Sequence, residues 1–191
     1  MKYLFLLFIL IVSTTFILPN NNRNYSKEVS KIKTIVSANT YNQKYTILVD
    51  YSIPSGKKRL FIYNLHTDRI NKKFLVAQGD GCLPKNGNPT FSNEIGSNCS
   101  SLGIAVLGGR DYSKWGINVK YWLDGKSNTN SNFRKRVVVL HSWWGIPDDE
   151  VYPFNIPKSQ GCFTVSNSTM RYLDNFIRKQ ENKKIIIYSF K

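Results

Sequence analysis

From residue 42 onward the chain is a succession of short runs rich in β-branched and aromatic residues, each closed by turn chemistry. Residues 45–51 (YTILVDY), 59–64 (RLFIYN) and 73–77 (KFLVA) each suit a strand. Pro54-Ser55-Gly56 and His66-Thr67-Asp68 lie between them as turns. Residues 102–107, 116–122 and 137–141 continue the series, and 184–190 (KIIIYSF) closes it. Helical period appears twice. Val29, Ile32, Ile35 and Val36 mark a short amphipathic helix within 25–41. Met170, Leu173, Phe176 and Ile177 form an apolar stripe behind a cap at Ser166 or Asn167, ending near Asn182. The sum is a mainly β fold with a C-terminal-region helix and a short N-terminal one. The stretch 79–101 stands apart. It is long and polar, with four glycines and two prolines, and loops of that length are commonly functional.

At 191 residues the chain holds one domain of ordinary size with a short tail. Hydrophobic residues make up 41% and aromatics 14%, which rules out wholesale disorder. Lys and Arg number 27 against 12 Asp and Glu, a balance of +15. That surplus favours polyanions (nucleic acid, anionic lipid or acidic wall polymers) without choosing among them. No GxGxxG or P-loop pattern supports a nucleotide cofactor. Three cysteines fit no four-ligand zinc spacing and are too few for a disulfide scaffold.

Met1-Lys2 precedes an apolar run over 3–18, interrupted by Ser13, Thr14 and Thr15 and ended by Pro19 and three asparagines. One early positive charge before such a run predicts a signal peptide over 1–18. An uncleaved inner-membrane anchor is the alternative, although a spanning helix needs about 20 residues. Either reading exports the remainder to the periplasm or cell envelope. A polar, helical lead-in over 19–41 and a domain over 42–191 complete the expected organisation. Export and the scatter of Lys and Arg along the chain speak against nucleic acid as the partner.

Two histidines are present. His66 falls in a hairpin turn beside Asp68 and is expected to be exposed and idle. His141 ends the apolar run Val137-Val138-Val139-Leu140, directly before Ser142-Trp143-Trp144-Gly145. Cys162 follows 21 residues later, in Ser159-Gln160-Gly161-Cys162. A glycine before a cysteine permits a tight turn that aims backbone N–H groups at the thiol's target, as an oxyanion hole requires. An imidazole nearby can deprotonate a thiol whose ordinary pKa is about 8.5. A buried, inert Cys162 is the competing reading of the residue alone.

Taken in order, these stretches resemble the exported YkuD-type L,D-transpeptidases, in the divergent branch known as the murein L,D-transpeptidase catalytic domain. The shared core is an apolar strand ending in His, a loop, and Ser/Thr-x-Gly-Cys, matched by 137–142 and 159–162. Asp50-Tyr51-Ser52-Ile53-Pro54-Ser55 with Lys58-Arg59-Leu60 is similar to the branch's opening hairpin. Phe91-Ser92-Asn93, Gly96-Ser97 and Ser100-Ser101-Leu102-Gly103 are similar to its most distinctive loop, and Leu123-Asp124-Gly125 to its approach to the histidine strand. The resemblance covers about 41–191. It implies a β-sandwich of mixed sheets and a transferase of peptidoglycan (murein) stem peptides without a metal or organic cofactor. Cys162 would be the nucleophile, His141 its base, and Ser142 the carbonyl that orients the imidazole. The N–H groups of Gly161 and Cys162 would hold the oxyanion, while Ser159, Gln160, Ser92, Asn93, Ser100 and Ser101 would line the cleft. Acylation by a carbapenem is a further implication.

Four features differ from the family pattern. Gln160 and Thr164 replace a common His and Arg, Gln78 replaces another His, and Trp143-Trp144 is bulkier than the usual small residues. They bear on donor specificity and leave two alternatives open: an L,D-carboxypeptidase on the same substrate, or an inactive peptidoglycan-binding module. With Cys162 reserved for chemistry, Cys82 and Cys99 are expected to form a disulfide, two unpaired thiols being the alternative. Export permits the bond, and closing this loop contributes about 3 kcal/mol at best.

Overall fold

The computed structural model describes residues 23–38, 40–81, 90–180 and 183–191. The expected leader over 1–18, Cys82 and Asn182 lie outside the described residues. Eight strands are present: β1 Tyr45–Asp50, β2 Leu60–Asn64, β3 Arg69–Phe74, β4 Gly103–Tyr112, β5 Val119–Gly125, β6 Val139–Ser142, β7 Phe163–Val165 and β8 Ile186–Phe190. They join one mixed sheet in the order β3-β2-β1-β8-β4-β5-β6-β7. The β1–β8 and β6–β7 pairs are parallel and the others antiparallel. Helix α1 spans Ser26–Ser37 and α2 spans Asn167–Arg178.

The sheet buries both faces, and alternation along β1 and β2 divides them. Leu48 and Phe61 face α1, where they meet Val29, Ile32 and Val36. Ile47, Val49, Leu60 and Ile62 face the other way, into a larger core. Leu140, Phe163, Met170 and Leu173 enter that same core from β6, β7 and α2. Strands from both ends of one curled, mixed sheet thus share an interior, a single sheet where the resemblance implies a sandwich of mixed sheets. Each large side chain fully buried here contributes about 1.5–3 kcal/mol.

Several bounds differ from the sequence-based expectation: β4 runs on to Tyr112 where 107 is expected, and α2 ends at Arg178. The third strand is Arg69–Phe74 rather than 73–77; Leu75, Val76 and Ala77 lie beyond it and are buried. Their apolarity reports burial, whereas β3 is a mostly exposed edge strand whose lysines discourage further pairing. β5 begins at Val119, because Gly116 and Asn118 have left-handed backbones (φ +60° and +61°). β6 begins at Val139 for a similar reason, Val137 having φ +56°. β7, with three residues, was too short to stand out in the pattern.

Candidate active site

The pairing of β6 with β7 builds the site. Its register sets His141 against Thr164, with Cys162 immediately before β7. The chain enters β7 through Gly161, whose φ of +99° is costly for any other residue. A Cβ there would also sit 2.7 Å from the Cys99 carbonyl oxygen and 3.1 Å from Arg136 Nη2. Ser159 fastens the turn: its hydroxyl donates to the Cys162 carbonyl at 2.8 Å and accepts from the Gly161 N–H at 3.2 Å. The Cys162 thiol lies 3.7 Å from the Val137 carbonyl oxygen.

His141 is held at both nitrogens. Nδ1 lies 3.0 Å from the Ser142 carbonyl oxygen, which can only accept, so Nδ1 carries the proton. In that neutral tautomer Nε2 is an acceptor and receives the Thr164 hydroxyl, at 3.0 Å. Ser142 is itself packed against Gly116, where a Cβ would come within 2.1 Å of its Oγ, and that Oγ accepts from the Ile117 N–H at 3.1 Å. Burial holds the His141 pKa below its ordinary 6.5, Lys120 adds to the effect, and the Ser142 carbonyl opposes it. Burial pushes the Cys162 thiol up; a backbone hydrogen bond from Val139, Arg136 and Lys120 pull the other way. Both shifts favour the uncharged forms of the pair.

Both residues open on a cleft of about 770 Å³. Ser159, Gln160 and Thr164 line it beside them, as do Tyr112, Trp115, Trp143, Lys114, Lys120, Arg136, Lys158 and Asp80. Ser92, Asn93, Ser100 and Ser101 do not line it, contrary to expectation. Their polar groups hold the loop together instead. The Ser92 carbonyl and Ser101 hydroxyl accept from Arg136, and the Ser100 hydroxyl accepts from the Gly79 N–H. Asn93 bridges to Asn128, Ser131 and Asn132. Cys99 is disulfide-bonded and Cys162 is a free cysteine; Cys82, the expected partner, lies outside the described residues. His66 is exposed on the β2–β3 turn. Among the described residues no group of three or more His, Cys, Asp or Glu is placed to hold a metal ion, and no helix is long and apolar enough to cross a membrane.

The sequence reading missed Arg136 and Lys120. A signal for the first existed in the basic run Arg134-Lys135-Arg136 just before the histidine strand; Lys120 became relevant only through the register that pairs it with His141.

Among solved structures, the chain is similar to the helical cell shape determining protein Pgp2 from Campylobacter jejuni, at 13% identity and a TM-score of 0.48, covering 78% of this chain and 48% of that one. It is similar to the Ldtfm-avibactam carbamoyl enzyme at 12% identity and a TM-score of 0.47, covering 78% and 50%. A third is the L,D-transpeptidase (residues 123–326) from Xylanimonas cellulosilytica, at 14% identity and a TM-score of 0.40, covering 84% and 69%. The chain spans about half the length of the first two. A search of curated proteins returned no match. The family model of the L,D-transpeptidase catalytic domain matches residues 19–188, and the chain belongs to that family.

Proposed function

We propose that the protein is an exported cysteine acyltransferase that acts on peptidoglycan stem peptides. One observation carries the reading: Cys162, on a glycine turn, shares a cleft with His141, whose Nδ1 is committed to the Ser142 carbonyl. The family match and the apolar leader over residues 3–18 support the substrate class and the export.

In the proposed reaction His141 Nε2 takes the Cys162 proton as the sulfur attacks the carbonyl carbon before a terminal D-residue. Because burial favours the uncharged form of both groups, proton transfer accompanies attack instead of preceding it. The Thr164 hydroxyl must first turn away from Nε2. The Cys162 N–H receives the oxyanion; the Gly161 N–H joins it only by leaving Ser159 Oγ. A single such donor is worth about 10²–10³ in rate. As the C–N bond breaks, the imidazolium returns its proton to the departing D-amino acid and a thioester remains. An amine from a neighbouring stem then attacks the thioester, its proton passes to His141, and the cross-link and free thiol form.

The test is intact-mass measurement of the protein after incubation with a carbapenem, followed by product analysis with defined muropeptides. Wild type should gain one β-lactam mass, and Cys162→Ala, which removes only a sulfur, should gain none. A folded wild type that is never acylated, or a Cys162→Ala protein that still is, would overturn the assignment. Cross-linked product identifies a transpeptidase; a trimmed stem with no cross-link would identify a carboxypeptidase using the same thioester.

A further inference from the structure

Arg136 lies on the segment that leads into β6, and its guanidinium reaches across the back of the Cys162 turn. Nη1 donates to the Ser92 carbonyl at 2.8 Å and to the Ser101 hydroxyl at 2.5 Å, and Nη2 donates to the Cys99 carbonyl at 2.5 Å. Nη2 is also the group that a Cβ on Gly161 would approach, at 3.1 Å. One side chain thus joins the 92–101 loop, the glycine turn and the cleft wall. All three acceptors are neutral. Among the described residues Arg23, Arg110 and Arg134 each pair with a carboxylate, and Arg136 pairs with none. A cation that is half-buried, geometrically fixed and not neutralised by a carboxylate keeps its field, and the neighbour positioned to use that field is Cys162.

We propose that Arg136 is a positioning residue with a second, electrostatic duty: it fastens the 92–101 loop behind Gly161 and supplies the fixed positive charge that the Cys162 thiolate faces. The guanidinium lowers the cost of ionising a thiol that burial holds neutral, and Cys162 in turn favours the charged guanidinium. The other groups that face Cys162 are Lys120 from β5, His141 from β6, and Tyr51 from the end of β1. Lys158 and Asp80 line the same cleft. Lys120 is already paired with Asp111, at 3.6 Å. Its charge is partly spent, which leaves Arg136 as the principal fixed cation at the sulfur.

The inference rests on the proposed function only in taking Cys162 as the reactive thiol, and its test needs no peptidoglycan. The full chain is alkylated with iodoacetamide, a neutral reagent that reads thiolate, over a range of pH, with Cys162→Ala as the blank. An opposite charge beside an acid lowers its pKa by about one unit or more. Arg136→Gln should therefore move the midpoint of the alkylation profile up by about one unit and slow the reaction at neutral pH about tenfold. Arg136→Lys keeps the charge but loses the fork of donors, and its midpoint should stay near wild type. Ser101→Ala loosens the loop without touching the charge and should leave the midpoint in place. A folded Arg136→Gln protein with an unchanged midpoint overturns the proposal, as does an Arg136→Lys midpoint displaced as far as that of Arg136→Gln. If Arg136→Gln does not fold, the Arg136→Lys profile decides alone: a wild-type midpoint supports the charge, and a raised one refutes it. A wild type that is never acylated overturns the proposed function without bearing on this profile, so the two results are read separately.

Discussion

Nε2 of His141, the base nitrogen of the proposed reaction, is covered at rest by the Thr164 hydroxyl. A hydroxyl that donates to a neutral imidazole stabilises the neutral form. Removing it with Thr164→Val should raise the His141 pKa, seen in the imidazole titration by NMR, and carry the acid limb of carbapenem acylation to higher pH. Above that limb the base is intact and uncovered. The rate there should stay within about tenfold of wild type, against the 10²–10⁴-fold cost of losing a general base. An imidazole titration and acid limb that do not move would show that the hydroxyl has no hold on Nε2. At this scale the sequence was informative where chemistry is local. Gly161, Cys162 and His141 stand out as candidates because a turn glycine before a cysteine and a strand end are properties of adjacent residues, whereas Ser142 enters only through the family resemblance. The 92–101 serines, set on the cleft by the resemblance, turn polar groups to Arg136 and Gly79, since a motif does not say which way its hydroxyls face. Arg136 meets them from 35 to 44 positions away.

Helix α2 is the element that braces the site from behind, since Ser166, its N-cap, directly follows β7. The cap hydroxyl accepts from the Thr169 N–H at 3.1 Å and also meets Asp148, which contacts Ser168 as well. Farther along, Asp174 binds Arg110 Nε at 2.7 Å and the Tyr121 hydroxyl at 2.7 Å, tying α2 to β4 and β5. Ser166→Ala should cost about 1 kcal/mol, measured as a lower Tm with the carbapenem adduct still formed. The Ser166 hydroxyl, and then that of Ser168, hold the Asp148 carboxyl below its ordinary 3.8. A carboxyl depressed in the folded state stabilises it above the unfolded pKa and loses that contribution as pH falls through the folded value. The Tm gap between wild type and Ser166→Ala should therefore narrow below about pH 4; a gap constant down to pH 2 would mean that Asp148 is not coupled to the cap. Both helices were legible because 3.6-residue periodicity survives in exposed elements. β3 and β7 were not. An edge strand lacks alternation and a three-residue strand lacks length, and both exist because β2 and β6 offer them unpaired edges.

Across the whole molecule, a net charge of +15 is a statement about fields and not about a partner. The fold gives it a location. Lys114, Lys120, Arg136 and Lys158 line the cleft, with Asp80 as the carboxylate among its lining residues. Lys114 and Lys158 are exposed at the rim, beside a Trp115 that is 49% exposed. Exposed charges act over a distance that shrinks from about 10 Å at 0.1 M salt to about 3 Å at 1 M. Arg136 bears on Cys162 from across the Gly161 turn, with its side chain half-buried and fixed by three hydrogen bonds. These two kinds of charge should separate under salt. Retention on purified peptidoglycan sacculi, measured by co-sedimentation, should fall several-fold between 0.1 and 1 M salt. Alkylation of Cys162 by a neutral reagent over the same range should change little. Lys114→Gln with Lys158→Gln should weaken retention at low salt and leave alkylation alone, since neither residue is among the groups that bear on the sulfur. Retention that persists at 1 M salt would locate wall affinity in apolar contacts instead, with Trp115 and the 77% exposed Trp144 among the exposed aromatic surfaces.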